Sequence, residues 1–237
     1  MLLLARTVTG QQSLEIVAYH DALDAALCAL GVVEGRPAAA EFRAMDWWRR
    51  SVRGNEDSTQ ALISEVEAAV TMAPDAAAGR DCRVALACVQ QLFSSFYLQR
   101  GQYDRAIELY ERALRIQMAT LGEMHSDTAA TISNIGISYS GKGQHDRAIE
   151  LYERALRIQI ATLGEMHAST AATISSMGAS YSKKGQYDRA IAETERALRI
   201  CHATLGPHHP QTQQTAQNLA NIKTAAAQAS RGGRVRR

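Results

Sequence analysis

The chain has 237 residues, with 26 Lys and Arg against 24 Asp and Glu, a formal charge of +2 at pH 7. That length can bury a sizeable core in one or two domains. So even a balance excludes nucleic acid or an anionic membrane as a partner held mainly by bulk charge.

The start, Met1-Leu-Leu-Leu-Ala-Arg6, has too short an apolar run for a secretory leader, and a spanning helix needs about 20 apolar residues. A soluble, cytoplasmic setting is expected. Residues 1–57 are expected to form a degenerate helical region. The segment 13–30 has helical spacing (Leu14, Val17, Leu23, Leu27, Leu30) before Gly31. Another helix over 37–53 would open with Pro37 at N1 and end at Gly54. Trp47-Trp48 is expected to pack within that end. The cysteines Cys28, Cys82, Cys88 and Cys201 show no Cys-x-x-Cys spacing. They suit small core fillers, reduced in the cytoplasm, better than a metal or disulfide framework.

From about residue 83 the chain repeats. Gly101-Gln-Tyr-Asp-Arg-Ala-Ile107 returns as Gly143-Gln-His-Asp-Arg-Ala-Ile149 and as Gly185-Gln-Tyr-Asp-Arg-Ala-Ile191, each 42 residues after the last. Leu121-Gly122, Leu163-Gly164 and Leu205-Gly206 keep the same step. Segments 106–125 and 148–167 differ only at Met118 and Ile160. A fixed period of this size implies stacked supersecondary units, none of which can bury its apolar face alone.

Each unit reads as two helices. Over 106–120, Ile107, Tyr110, Ala113, Leu114 and Met118 make an apolar stripe. Glu108–Arg112 and Glu111–Arg115 pair on the opposite face. The Leu-Gly pair closes that helix, with glycine expected in the left-handed conformation. A second helix over about 127–140 places Ile132, Ile135, Gly136 and Tyr139 inward, and Gly143 breaks it. Residues 83–100 (Val84, Ala87, Phe93, Tyr97) read as a first inner helix. Residues 211–227 read as a capping helix with Gln213, Gln214, Gln217 and Asn221 outward. A basic tail, 228–237, is expected to be disordered.

These residues resemble the tetratricopeptide repeat, in the 42-residue form found in kinesin light chain and nephrocystin-type proteins. Ile132, Ile135, Gly136, Tyr139, Ala148, Tyr152 and Ala155 stand in order where the family pattern has large apolar, Leu, small, aromatic, Ala, aromatic and Ala. The next unit gives Ile174, Met177, Gly178, Tyr181, Ala190, Thr194 and Ala197, with Thr194 departing from the aromatic. Residues 67–74, ending at Pro74, resemble the close of an ordinary 34-residue repeat. The resemblance implies an all-α solenoid, a right-handed superhelix of antiparallel helix pairs, with the repeat array spanning 58–227.

No constellation for catalysis or a cofactor stands out. There is no Gly-x-Gly-x-x-Gly and no phosphate loop. His125, His167 and His209 recur once per unit and suit linker or helix-cap roles. His202, His208 and His209 lack a Cys or acidic neighbour at zinc-ligand spacing. The chain is expected to be no enzyme, with no metal and no cofactor. The resemblance implies instead a protein-interaction scaffold holding a partner peptide in the groove lined by the first helix of each unit. The family's groove Asn falls on Asn134 and Asn218, with Ser176 between them and Leu92 upstream. Neighbouring groove positions are Ser133, Ile137, Ser140, Ser175, Ala179, Ser182, Lys183, Gln217 and Asn221. With Lys142, Lys183 and Lys184 the groove suits an acidic or mixed peptide. The same small residues could equally be a surface that lets helices pack. A nucleic-acid-associated role through the basic tail is the alternative.

Overall fold

The computed structural model describes residues 97–234 without a break, and before them positions 83, 87, 90, 91, 94 and 95. The expectations for 1–57, for 67–74 and for Val84, Leu92 and Phe93 lie outside the described residues. The residues described from 83 to 99 are helical, with Ala87 and Tyr97 buried. Six helices follow: α1 Tyr103–Thr120, α2 Ser126–Gly141, α3 His145–Leu163, α4 Ala168–Lys183, α5 Tyr187–Leu205 and α6 Pro210–Arg234. No strand occurs among the described residues.

Each helix packs on the next in sequence, and α2 also touches α4, as α4 touches α6. The outer helices α1, α3 and α5 do not approach one another as closely. First helices therefore crowd together on the inside of a curve, and second helices fan around the outside. The result is an all-α solenoid.

The turns explain the period. Gly143 has φ +78, its N–H donates to the Ser140 carbonyl at 3.0 Å, and Gln144 N–H donates to the Tyr139 carbonyl at 2.9 Å. That pair of bonds closes α2 and needs a left-handed residue, which glycine supplies at least cost. Gly185 repeats it behind α4. The Leu-Gly junctions differ from expectation. Gly164 sits at φ 90, ψ 161 and Gly206 at φ 83, ψ 168. This extended positive-φ region belongs almost wholly to glycine. It turns the chain straight into the linker instead of curling it back over the helix end.

The core follows the repeat register. Ile107, Tyr110 and Ala113 of α1 are buried, as are Ile132, Ile135, Gly136 and Tyr139 of α2. Met118 departs from the expected stripe, being 39% exposed, while Gln117 is buried in its stead. At 100° per residue, position 117 faces the following helix, where the Thr131 hydroxyl donates to Gln117 Oε1 at 2.7 Å. Of the two expected pairs on α1, Arg112–Glu108 forms at 2.9 Å.

Tyr152 is fully buried, its ring against Gly136, with Ser180 as hydrogen-bond partner for its hydroxyl. Burial pushes that phenol well above its ordinary pKa, and the Ser180 bond opposes the rise. In the next unit Thr194 replaces the tyrosine and Ile222 stands in the register of Ser180. A phenol there would face a side chain without a hydroxyl. Thr194 instead donates to its own helix at the Ala190 carbonyl, 2.7 Å away, and so stays satisfied at 0% exposure.

The last helix runs further than expected. α6 continues to Arg234, so residues 228–234 of the expected tail are helical. The alanines at 225, 226, 227 and 229 are strong helix formers, and they carry the helix into Gly232 and Gly233. Among the described residues no helix is long and apolar enough to cross a membrane.

Candidate functional site

Along α2 the burial pattern leaves one narrow face accessible: Asp127, Ala130, Asn134, Ile137 and Gly141. In the same register α4 presents Ser169, Ala172, Ser176, Ala179 and Lys183, and α6 presents Gln211, Gln214, Asn218 and Asn221. Because first helices line the inside of the curve, these faces join into one stripe. Asn134, Ser176 and Asn218 form its central row. The Asn134 side chain makes no hydrogen bond among the described residues. Asn218 Oδ1 accepts from Gln214 Nε2 at 3.1 Å and Asn221 Oδ1 from Gln217 Nε2 at 3.0 Å, and neither asparagine NH2 group makes a hydrogen bond among the described residues.

Several expected groove residues lie elsewhere. Ser133 and Ser175 are each 8% exposed, in the seam between neighbouring first helices. Ser133 Oγ meets Thr173 Oγ1 at 3.2 Å, and upstream Gln91 donates to Thr131 in the same register. Gln217 holds that position on α6 and is exposed, since no further unit covers it. Ser140 is tied to Ser180 at 3.0 Å and faces His145 Nδ1 at 3.4 Å, so it also belongs to the seam. Small hydroxyl residues here hold helices together: burying them unpaired would be costly, and Ser133 and Ser140 each find a partner on the next unit.

The expected positive charge contracts as well. Lys142 is paired with Asp104 and Lys184 with Asp146, each bond linking one repeat to the preceding one. On the stripe, Lys183 stands exposed without an ion pair among the described residues. On the linker side Arg154 reaches Glu123 at 2.6 Å and Arg196 reaches Glu165 at 2.7 Å. Sequence reading missed both ladders, although each recurs at the 42-residue step.

The linker histidines cap helices. Nδ1 of His125 accepts from Asp127 N–H at 3.2 Å, that of His167 from Ser169 N–H at 3.1 Å and that of His209 from Gln211 N–H at 3.2 Å. An imidazole here takes the place of a capping Ser or Asp by satisfying one orphan N–H. Among the described residues no group of three His, Cys, Asp or Glu side chains could hold a metal ion. Cys201 is buried and free.

A family model described as tetratricopeptide repeat matches residues 85–161 and 169–230. The chain belongs to the tetratricopeptide repeat family. Its repeats are of the kinesin light chain type, and this repeat is an architecture for protein–protein contacts. Among solved structures this tetratricopeptide repeat chain is similar to BtubC (BKLC) from P. vanneervenii, at 24% identity and a TM-score of 0.65, covering 88% of this chain and 83% of that one. It is also similar to two structures of a Podosopora anserina putative kinesin light chain with nearly identical TPR-like repeats, one of them a variant with a single substitution. Both are 24% identical and cover 84% of this chain and 92% of theirs, with TM-scores of 0.56 and 0.54. At this identity the likeness is one of fold. No curated protein matches the chain.

Proposed function

We propose that this tetratricopeptide repeat protein is a non-enzymatic scaffold whose inner stripe holds an extended peptide segment of a partner protein. The observation that carries the proposal is the row Asn134, Ser176, Asn218, in one register on three successive first helices, with the Asn134 amide unengaged among the described residues. An amide side chain can donate to a carbonyl and accept from an N–H of a peptide backbone, so two of them hold a chain independently of its sequence. The alanines at 130, 172 and 179 keep the floor low beside that row, and Ile137 supplies apolar contact. Lys183 adds preference for an acidic residue near the α4 end. Ser133, Ser175 and Ser140 act in the seam and support the stripe from behind.

The test is calorimetric titration with a partner peptide identified by cross-linking. Loss of one amide hydrogen bond costs about 0.5–1.5 kcal/mol, so each Asn→Ala change is expected to weaken binding by a few-fold to about tenfold. The Asn134→Ala/Asn218→Ala protein should approach the sum, since the sites lie two repeats apart and share no partner. Unchanged affinity in a folded double variant would place the site elsewhere.

A further inference from the structure

A second surface, which meets the stripe at Gly141 and Lys183, lies where the first helix of each unit turns into the second. Residues 97–105, 139–147 and 181–189 hold these three turns. Together they carry seven lysines and arginines against three aspartates, all exposed, in a chain that is nearly neutral as a whole. Lys142–Asp104 and Lys184–Asp146 bridge one turn to the next, which places the three turns side by side on one edge of the solenoid.

One arginine per turn is held in a fixed pose. The Arg105 guanidinium lies over Tyr97 at 5.7 Å from the ring centre, Arg147 over Tyr139 at 4.8 Å and Arg189 over Tyr181 at 5.9 Å. Arg147 and Arg189 make no ion pair among the described residues. Stacking on a ring fixes the plane of a guanidinium and leaves its N–H edge available, and that edge matches a carboxylate with two parallel bonds. The bridging lysines neutralise Asp104 and Asp146, so these carboxylates do not cancel the stacked row.

We propose that this turn edge docks an extended acidic segment of a partner protein, with a carboxylate at about every third residue. Adjacent first helices lie about 8–10 Å apart, and an extended chain advances about 3.2–3.4 Å per residue, so one repeat corresponds to about three residues. Nucleic acid suits the edge less well. Its affinity comes from neutralising many closely spaced phosphates, and this edge offers a sparse row with aspartates interleaved.

The probe is a fluorescently labelled peptide of repeating Glu-Gly-Ser, followed by anisotropy against the full chain, with a peptide of the same composition whose glutamates form one block as control. The spaced peptide should bind more tightly than the block peptide and weaken as salt is raised. Arg147→Gln/Arg189→Gln should lose about tenfold or more in affinity with the thermal melt retained. Arg147→Lys/Arg189→Lys, which keeps the charge but not the fork, should fall between that variant and the unaltered protein. Asn134→Ala/Asn218→Ala should bind the peptide normally, so failure of the stripe proposal and failure of this one are told apart. Equal binding of spaced and block peptides, unaltered binding by the glutamine variant, or preference for a labelled oligothymidylate over the acidic peptide would each overturn the proposal.

Discussion

Replacing Gly136 by alanine probes the closest approach in the repeat. A Cβ at Gly136 would meet Tyr152 Cε1 at 2.8 Å, Cδ1 at 3.0 Å and Cζ at 3.2 Å. Tyr152 is 1% exposed and its hydroxyl is bonded to Ser180, so the ring has no room to retreat. Alanine gains about 1 kcal/mol over glycine within a helix. Overpacking a sealed core costs about 1–3 kcal/mol, and a collision with three atoms of a fixed ring belongs at the upper end. The expected net loss is therefore about 1–2 kcal/mol. Gly141 provides the internal control. A Cβ there would approach Tyr103 Cε1 more tightly still, but Tyr103 is only half-buried and its ring can swing away. Gly141→Ala should consequently be neutral or slightly stabilising. Urea unfolding followed by circular dichroism reads both, with the midpoint shifting and the slope unchanged. A stabilised Gly136→Ala protein, or equal effects at the two positions, would refute the packing argument.

Two further substitutions test the array. Ala155, at 0% exposure between α3 and α2, cannot accommodate a carboxylate, so Ala155→Glu should cost several kcal/mol and abolish the cooperative melt of the adjoining repeats. His167→Ala should cost about 1 kcal/mol by removing the cap on α4, and His167→Asn should recover most of it; equal melting of all three proteins would contradict the capping role.

The period and the helix pairs were legible because glycine marks every turn and apolar residues return at fixed steps. Gly143 reads from sequence as a helix breaker, but the left-handed turn expected at the Leu-Gly pairs stands at Gly143 and Gly185 instead. The extended conformation of Gly164 and Gly206 could not be read, because positive φ alone does not specify ψ. On the stripe, Asn134, Ser176 and Asn218 fall in one row, as their register implies. Ser133 and Ser175 lie one step from the stripe: 100° of helix rotation carries a residue from the stripe into the seam, and serine is equally at ease in both. The neutralisation of Lys142 and Lys184 is hidden in the sequence for a different reason. Their partners lie 38 residues upstream, a contact that exists only once the units are stacked. Met118 shows the same limit, since its apolar character fits the stripe while its neighbour Gln117 takes the buried place.

The stripe itself is tested most directly by photo-cross-linking. A photoreactive amino acid is placed at Ser176, in the middle of the Asn134–Asn218 row, and in a second protein at Glu153 on the exposed outer face of α3. Irradiation with partner present is expected to join a partner polypeptide at position 176 and not at 153, with the adduct diminished by the Asn134→Ala/Asn218→Ala changes. Adducts at 153 alone, or an adduct at 176 indifferent to those changes, would contradict the inner stripe as the binding surface.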